Sequence, residues 1–154
     1  VGYNLEGNEL GAAFGLAQLE KLNQNIATRQ ENFRRQCEFF DKYSEYFSNP
    51  IETSKCQTAW LAFPILIKPS APFTRKEFMI FLETRNIQTR VVFTGNILRQ
   101  PMCANMEKST CEEGYPNSDA VMERGVLLPV HHGLSESMFQ RFHETVDEFI
   151  CSIK

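Results

Sequence analysis

The first helix that the residue pattern predicts, from Leu10 to Leu19, is apolar on more than one face. One stripe has the i, i+3, i+4, i+7 spacing of a helix face, and other apolar residues fill most of the remaining surface. A helix that is apolar nearly all round has to be buried on several sides. Because the chain is short, we expect part of this cover to come from other polypeptide. Small side chains would let another backbone approach closely, and these are Gly11, Ala12, Ala13, Gly15 and Ala17.

A second, amphipathic helix is predicted to follow and to end near residues 48–50. Its apolar face consists of Phe33, Cys37, Phe40 and Phe47, with Tyr43 beside them. Pro50 prevents the helix from continuing. Residues 49–57 have the composition of a linker. We therefore divide the chain into N-terminal linking helices (1–48) and a small C-terminal α/β domain (49–154), which together form one structural unit.

The middle of the chain predicts a strand, a helix and a second strand. The first strand covers residues 58–68, and Pro64 within it implies a sheet edge or a bulge, since proline has no N–H to donate. The helix starts with a capping box made by Thr74 and Glu77. It is predicted to end at Asn86, a residue that tolerates the left-handed conformation. The second strand follows from the alternation of Ile87, Thr89, Val91 and Phe93.

A long loop and three further elements complete the pattern. Residues 94–116 have no periodicity, and loops of this length are usually functional or disordered. A short helix over 118–124 is predicted to end at Gly125, and a brief strand follows over 126–130. The last helix starts at Ser135, and its apolar face holds Met138, Phe142, Val146, Phe149 and Ile150. From the first strand on, the order is β-α-β-loop-α-β-α. This order predicts an α/β or α+β fold with a small sheet covered by helices, and it leaves the strand directions open.

Length and charge exclude several classes of protein. The 154 residues fit a single domain of the usual size. A net charge of -3 gives no electrostatic basis for binding nucleic acid or an anionic membrane. No apolar run reaches the roughly 18 residues that a membrane span needs, and no segment after Val1 resembles a signal peptide. The cysteines are odd in number and scattered, which favours a reducing cytoplasm as the location.

Two groups of residues raise the question of a metal site. His131 and His132 are adjacent, with His143 further along as a candidate third ligand. In an extended chain, adjacent side chains point to opposite faces. We therefore expect a structural role, or a place at the edge of a substrate site, rather than a metal site. Cys103 and Cys111 share the long loop and could pair or hold a metal, but inert thiols are the simpler expectation.

Three stretches of the chain carry a resemblance to a known family. The first is Gly-Tyr-Asn-Leu at residues 2–5, followed by Ala-Ala-Phe-Gly-Leu-Ala-Gln-Leu-Glu-Lys-Leu at residues 12–22. The second is Phe-Thr-Gly-Asn-Ile-Leu-Arg-Gln-Pro at residues 93–101, and the third is Leu-Pro-Val-His-His-Gly-Leu at residues 128–134. Together they resemble the DegT-type family of enzymes that depend on pyridoxal phosphate (PLP). Members of this family act on nucleotide-linked keto-deoxysugars as aminotransferases or 3-dehydrases.

This resemblance implies a fold, a cofactor and partners. It identifies the chain as the small C-terminal domain of a fold-type I PLP enzyme, together with the helix that links it to the large domain. In the family the catalytic lysine or histidine lies upstream, so we expect no catalytic residue here and no binding of PLP by this chain alone. The full-length enzyme would bind PLP, form a homodimer and act on a nucleotide-sugar, with lipopolysaccharide biosynthesis as one setting. The chain departs from the family pattern at Glu6, where a basic residue is usual, and at residues 10–11, where a glutamine is missing.

The resemblance also assigns roles to individual residues. Tyr3 and Asn4 are expected at the PLP phosphate, with Asn4 reaching into the neighbouring subunit. Arg99 and Asn96 lie in the stretch that borders the sugar-nucleotide site in the family, and His131 lies in the third stretch, so all three are expected to contact substrate. A guanidinium suits this task because it offers a rigid fork of hydrogen-bond donors to a phosphate.

Each of these roles has an alternative. Asn4 could be a helix N-cap, for which Asn8 is an equal candidate. Arg99 could instead pair with a nearby carboxylate. The whole chain could be a non-catalytic α/β binding or interaction module whose first helix docks a different partner. Whether the parent enzyme has a lysine, as an aminotransferase, or a histidine, as a dehydrase, is left open by this part of the sequence.

Overall fold

Residues 7–153, which the computed structural model describes, form five α-helices and one four-stranded antiparallel sheet. The helices are α1 (Glu9–Leu19), α2 (Leu22–Asp41), α3 (Arg75–Glu83), α4 (Pro116–Arg124) and α5 (Glu136–Ser152). The strands are β1 (Phe47–Ser48), β2 (Phe63–Ile67), β3 (Arg90–Val91) and β4 (Gly125–Leu128). This is an α+β fold. From β2 onward the order of elements is the predicted one, so the fold class is confirmed.

The sheet has the strand order β1-β2-β4-β3, and each neighbouring pair is antiparallel. The longest pairing joins β2 to β4, with Ile65 opposite Val126. β1 extends the sheet on one side with Phe47 opposite Ile67, and β3 extends it on the other with Val91 opposite Val126. The directions that the sequence leaves open are therefore antiparallel throughout the described sheet.

Pro64 lies within β2, yet it removes no hydrogen bond from the sheet. Lys68 N donates to Tyr46 O at 2.8 Å, so the even-numbered backbone nitrogens of this segment face the side of β1. β1 reaches only as far as Leu66, and the nitrogen of Pro64 therefore points past the end of β1. Pro64 therefore lies at a position where β2 has no neighbouring strand on the β1 side, as predicted for a sheet edge, although the rest of β2 is an interior strand.

The core is largely aromatic and lies where α2, α3 and α5 cover one face of the sheet. The buried residues of β2 are its alternate positions, namely Phe63, Ile65 and Ile67. Phe40 of α2 stacks on Phe63 with ring centroids 5.6 Å apart, and Phe78 of α3 lies 5.2 Å from Phe149 of α5. Ring pairs in this range of distances add stabilisation beyond the burial of apolar area. The sheet and these three helices therefore share one core.

Local signals in the sequence set the helix ends. The Thr74 side chain accepts a hydrogen bond from Glu77 N, and the Glu77 side chain accepts one from Thr74 N, so the predicted capping box is confirmed. Asn86 has φ 60°, the left-handed conformation predicted after α3. Ser135 caps α5, with its hydroxyl accepting from Met138 N at 3.3 Å. These ends could be predicted because each depends on residues close together in the sequence.

The predicted end of the second helix near residue 48 is wrong. α2 ends at Asp41, and the chain then turns so that Phe47 enters β1. Phe47 is buried, and its ring centroid lies 5.2 Å from that of Phe40. Phe47 thus reaches the core from a strand and not from the predicted helix. The spacing of apolar residues is compatible with either structure. β1 lies before the predicted boundary at residue 49 and pairs with a strand that lies after it.

Three apolar residues that the pattern placed on buried faces, Val91, Phe93 and Met138, are exposed. After Val91 the chain leaves the sheet, with Gly95 N donating to Val92 O at 3.1 Å. Phe93 is therefore not part of a strand, has φ 48° and is 86% exposed. Met138 is also exposed because it borders an open cavity at the start of α5. The predictions of burial for Val91, Phe93 and Met138 are wrong.

α1 is largely uncovered in the described chain. It has no buried residue, and its exposed large apolar side chains are Leu10, Phe14, Leu16 and Leu19. Residues 7–153 therefore do not supply the cover that an all-round apolar helix requires. Within the same residues, no helix combines the length and the apolar character that crossing a membrane requires.

Candidate functional site

The stretch 93–101 forms a tight turn followed by short 3₁₀ helices. Asn96 begins the first of these, Ile97–Arg99, and its side-chain oxygen accepts a hydrogen bond from Leu98 N at 3.1 Å. Gln100 Nε2 donates to Thr94 O at 3.0 Å and closes the turn. These contacts fix the backbone on both sides of Arg99.

Gly95 joins this turn to α4. It has φ 66°, and a Cβ atom added there would lie 2.3 Å from Met122 Cβ of α4. Non-bonded carbon atoms do not approach so closely, so no other residue fits without a shift of the helix or the turn. Since Met122 and Asp119 are three positions apart on α4, they lie on neighbouring parts of one helix face. The turn is thus set directly against the helix that carries Asp119.

Arg99 is held by a side-on ion pair with Asp119. Arg99 Nε lies 3.0 Å from Asp119 Oδ1, and Arg99 Nη2 lies 2.8 Å from Oδ2. Asn96 Nδ2 also donates to Oδ1 at 2.8 Å. The hydrogen bond from Arg99, with that from Asn96, lowers the pKa of Asp119 to about 2, so Asp119 is ionised at neutral pH. Both partners are partly exposed, with the Arg99 side chain 61% accessible, so this pair contributes little to stability.

The pairing of Arg99 with a carboxylate is therefore present in the structure. It does not occupy the whole guanidinium, which carries five N–H donors. The side-on contact leaves both N–H groups of Nη1 without a hydrogen bond to the described residues. Asn96 is buried, and its amide is used within the chain, so its place is to support the turn and Asp119. Sequence reasoning missed Asp119, whose only signal was its position in the first turn of the predicted helix over 118–124.

A cavity of about 360 Å³ borders Arg99. Its wall includes Asp119 and Asn96 on one side and the end of the long loop on the other, where Tyr115 accepts a hydrogen bond from Cys111 N at 3.1 Å. Glu113 also lines it. The long loop 94–116 therefore contributes residues to the surroundings of Arg99 from both of its ends.

His131 lies elsewhere, on a larger cavity of about 570 Å³ between the end of β4 and the start of α5. Its carbonyl oxygen accepts a hydrogen bond from Asn32 Nδ2 at 3.0 Å, and its ring Nδ1 accepts one from Gly133 N at 3.2 Å. Partial desolvation of the ring, with smaller contributions from Arg29 and the neighbouring His132, lowers the pKa of His131. The structure thus places Arg99 and His131 on different cavities.

His143 takes part in the packing of α5 against α2. Its Nε2 lies 3.0 Å from Gln36 Oε1, and its ring stacks on Phe39 at 3.9 Å between centroids. Gln36 Nε2 donates to Pro129 O at 3.0 Å, so the Gln36 oxygen is the acceptor and His143 carries its proton on Nε2. Burial, aided by Arg35 and Lys42, lowers the pKa of His143 to about 4. These contacts tie His143 to the fold.

The described residues contain no group of three or more metal-ligating side chains that could hold a metal ion. His131 and His132 are exposed, whereas His143 is tied to Gln36. The five cysteines are all free thiols, so Cys103 and Cys111 do not pair with each other.

The two cavities above offer no site for covalent attachment of PLP. Covalent attachment of this cofactor needs a lysine in a cavity, and neither of the two cavities above has a lysine in its wall. Lys68 and Lys108 donate to backbone oxygens of Ser44 and Cys103. Lys42 lies over the ring of Phe39.

Tyr3 and Asn4, the residues expected at the cofactor phosphate, lie outside the described residues. The helix cap that was an alternative role for Asn4 is taken by Asn8. The side chain of Asn8 accepts a hydrogen bond from Gly11 N at 2.7 Å at the start of α1. Asn8 is therefore the residue that caps α1.

Sequence comparisons extend over nearly the whole chain. A model of the DegT/DnrJ/EryC1/StrS aminotransferase family matches residues 1–147. The lipopolysaccharide biosynthesis protein RfbH of Salmonella typhimurium is 32% identical over 149 residues, which are 97% of this chain and 34% of that protein. A dTDP-4-dehydro-2,6-dideoxy-D-glucose 3-dehydratase of Saccharopolyspora spinosa is 35% identical over 151 residues, or 98% of this chain and 32% of that protein. The chain spans about a third of the length of these relatives.

Solved structures show the same fold. The E. coli GDP-4-keto-6-deoxy-D-mannose-3-dehydratase with bound hydrated PLP matches with a TM-score of 0.77 and 25% identity, over 94% of this chain and 36% of that chain. The aminotransferase from Psychrobacter cryohalolentis matches with a TM-score of 0.80 over 99% of this chain and 41% of that chain. At 16% identity, this second match shows the fold alone.

Proposed function

The chain belongs to the DegT/DnrJ/EryC1/StrS aminotransferase family, and we propose that it is the C-terminal domain of a PLP-dependent enzyme that acts on a nucleotide-linked keto-deoxysugar. The resemblance noted in its three stretches is confirmed by the family match. The relatives include 3-dehydratases as well as transaminases of nucleotide sugars. We propose one of these two reactions for the full-length protein. Neither the family match nor the relatives favour a non-catalytic binding module.

The observation that carries this proposal is the placement of Arg99 within the second family stretch. The turn around Arg99 is fixed on both sides, borders a cavity, and leaves one edge of the guanidinium without a partner among the described residues. An arginine edge of this kind suits the oxygens of a phosphate. We assign the substrate diphosphate to Arg99 and a supporting role at the same site to Asn96. For His131, which lies on the other cavity, we propose a contact with the substrate.

PLP, when bound to the full-length protein, supplies an electron sink for the reaction at the sugar. We place its binding site mainly in the large domain, which is absent from this chain. The task proposed for the C-terminal domain is to bind and orient the nucleotide part of the substrate through Arg99. Tyr3 and Asn4 are proposed to contact the cofactor phosphate.

The exposed α1 supports the proposed partners. Its uncovered apolar side chains need other polypeptide, and the large domain of the same protein is the proposed cover, with the second subunit of a homodimer next to it. The free cysteines fit the proposed cytoplasmic location. In this arrangement Asn4 lies at the front of α1 and serves the active site of the neighbouring subunit.

A complementation experiment tests this arrangement. One full-length variant carries Asn4→Ala, and a second lacks the catalytic lysine or histidine of the large domain. If Asn4 acts across the dimer, one site of each mixed dimer combines an intact large domain with an intact Asn4. The other site carries both defects. After subunit exchange, we expect the activity to rise above that of either parent.

Asn8→Ala provides the matched control. This substitution removes the cap of α1, which costs about 1 kcal/mol of stability, and leaves Asn4 in place. The full-length variant should therefore keep its enzymatic activity. Should exchange be demonstrated by a subunit label while the activity stays at the sum of the parents, Asn4 does not act across the dimer and this part of the proposal fails.

A further inference from the structure

Asp119 is the one acidic side chain that contacts Arg99 in the described structure, and the way it does so is specific. It contacts Nε and Nη2 through its two separate oxygens, which is a side-on pair. In that geometry the carboxylate covers one edge of the guanidinium plane and leaves the edge at Nη1 open. An end-on pair would have used the Nη1–Nη2 edge instead, and a phosphate can be bound bidentately at that edge.

Asp119 is itself held by two hydrogen bonds besides its pair with Arg99. Asn96 Nδ2 donates to its Oδ1 at 2.8 Å, and its backbone nitrogen donates to Tyr115 O at 3.0 Å in the first turn of α4. A carboxylate in the first turn of a helix is favoured by the helix dipole. The close packing of Gly95 on Met122 holds the turn and the helix together. Arg99 is therefore anchored to a rigid part of the molecule although its side chain is exposed.

The geometry points to Asp119 as a positioning residue of the substrate-phosphate site, which orients the Arg99 guanidinium so that its free Nη1 edge meets the diphosphate of the substrate. This inference rests on the proposed function of Arg99 and names the residue that determines how Arg99 is presented. An arginine held in its binding orientation has less rotamer freedom to lose when the ligand arrives. Immobilising such a side chain costs about 0.5–1.5 kcal/mol, which corresponds to about twofold to tenfold in affinity.

The negative charge of Asp119 opposes this effect. It partly neutralises Arg99, and Glu113 adds a second carboxylate on the same cavity. The two effects differ in sign: orientation by Asp119 strengthens phosphate binding, whereas competition with the phosphate for Arg99 weakens it. A substitution that removes the charge and keeps the shape therefore distinguishes a positioning residue from a competing one.

The test uses the full-length holoenzyme, with GDP and dTDP titrated as probes by calorimetry. In Asp119→Asn we expect binding about twofold to tenfold weaker for the nucleotide that the enzyme accepts. In an Arg99→Ala background the same substitution should change binding little, since Asp119 acts through Arg99. We also expect KM for the nucleotide sugar to rise while kcat stays near that of the unaltered enzyme.

Glu148→Gln is the matched control. Glu148 forms the same side-on pair with Arg85, at 3.2 Å to Nε and 2.7 Å to Nη2, on the surface of α5. Removing that charge tests whether the loss of any exposed ion pair affects nucleotide binding, and we expect no change. Thermal unfolding of each variant verifies that the fold is retained.

The outcomes separate this inference from the proposed function. Tighter or unchanged binding in Asp119→Asn, while Arg99→Ala weakens it, overturns the inference and leaves the role of Arg99 intact. An equal loss from Asp119→Asn with and without Arg99 also overturns it, since Asp119 would then act independently. If Arg99→Ala leaves nucleotide binding unchanged, the phosphate assignment itself fails, and the role of Asp119 fails with it.

Discussion

Replacing Arg99 with alanine in the full-length enzyme is expected to weaken binding of the nucleotide sugar by about one to two decades. A charge-assisted hydrogen bond to a phosphate contributes roughly 1.5–3 kcal/mol, and each 1.4 kcal/mol is about a factor of ten in affinity. Calorimetric titration measures the effect. PLP content, measured from the cofactor absorbance, should change far less than substrate affinity.

Two further variants sharpen this prediction. Arg99→Lys should restore only part of the affinity, because an ammonium group cannot make the side-on contact with Asp119 and present a second edge at the same time. Arg85→Ala removes an arginine that follows α3 and forms a pair of the same geometry with Glu148 of α5, and it should leave substrate affinity unchanged. Unchanged affinity in Arg99→Ala would show that Arg99 serves only its pair with Asp119.

Gly95→Ala is expected to destabilise the chain by roughly 2–5 kcal/mol. Two costs add up in this estimate. A non-glycine residue at a left-handed φ costs about 1–2 kcal/mol, and forcing a methyl group into a filled space costs about 1–3 kcal/mol. The added Cβ would meet Met122 Cβ at 2.3 Å and Met122 Cα at 2.6 Å, and one of these atoms belongs to the backbone of α4. Urea unfolding of the chain, followed by circular dichroism, measures the loss.

Gly114→Ala separates the two costs. Gly114 has φ 71°, close to the φ 66° of Gly95, and no atom lies within 4 Å of the position that its Cβ would take. This variant should therefore lose only about 1–2 kcal/mol, from backbone strain. The difference between the two variants is the cost of pushing α4 away from the turn. Equal losses would mean that the turn and α4 are not in close contact, and the anchoring of Arg99 through α4 would lose its basis.

Features that depend on neighbouring residues could be predicted from the sequence. The capping box of Thr74 and Glu77, the left-handed Asn86 and the cap at Ser135 each involve residues a few positions apart. Their chemistry is complete within one turn of chain, so no knowledge of the fold is needed. The order of strands and helices follows from the same kind of signal.

Features that depend on distant residues could not be predicted. Phe47 fits the spacing of a helix face, yet it pairs with Ile67 in the sheet, because a core position can be filled from either element. Phe93 continues an alternating pattern but lies beyond the last residue that finds a strand partner. Periodicity reports which residues are apolar, whereas backbone pairing decides where a strand stops.

The candidate site shows the same division. The family resemblance singled out Arg99 within its own stretch of sequence, and the structure fixes it in a well-defined turn. Its partner Asp119 lies twenty positions later, with no motif to mark it, and only the fold brings the two together. The fold also separates His131 from Arg99 by placing them on different cavities. Tyr3 and Asn4 stay predictions, since they lie outside the described residues.

Uptake of PLP by this chain and by the full-length protein tests most directly the claim that the chain is one domain of a PLP enzyme. Each is mixed with PLP, freed of excess by gel filtration, treated with borohydride and analysed by mass spectrometry. The full-length protein should retain PLP stoichiometrically through gel filtration. The chain of residues 1–154 should retain none, and no lysine in it should carry the reduced cofactor. A stoichiometric adduct at one lysine of the isolated chain would contradict the account, as would a full-length protein that binds no PLP.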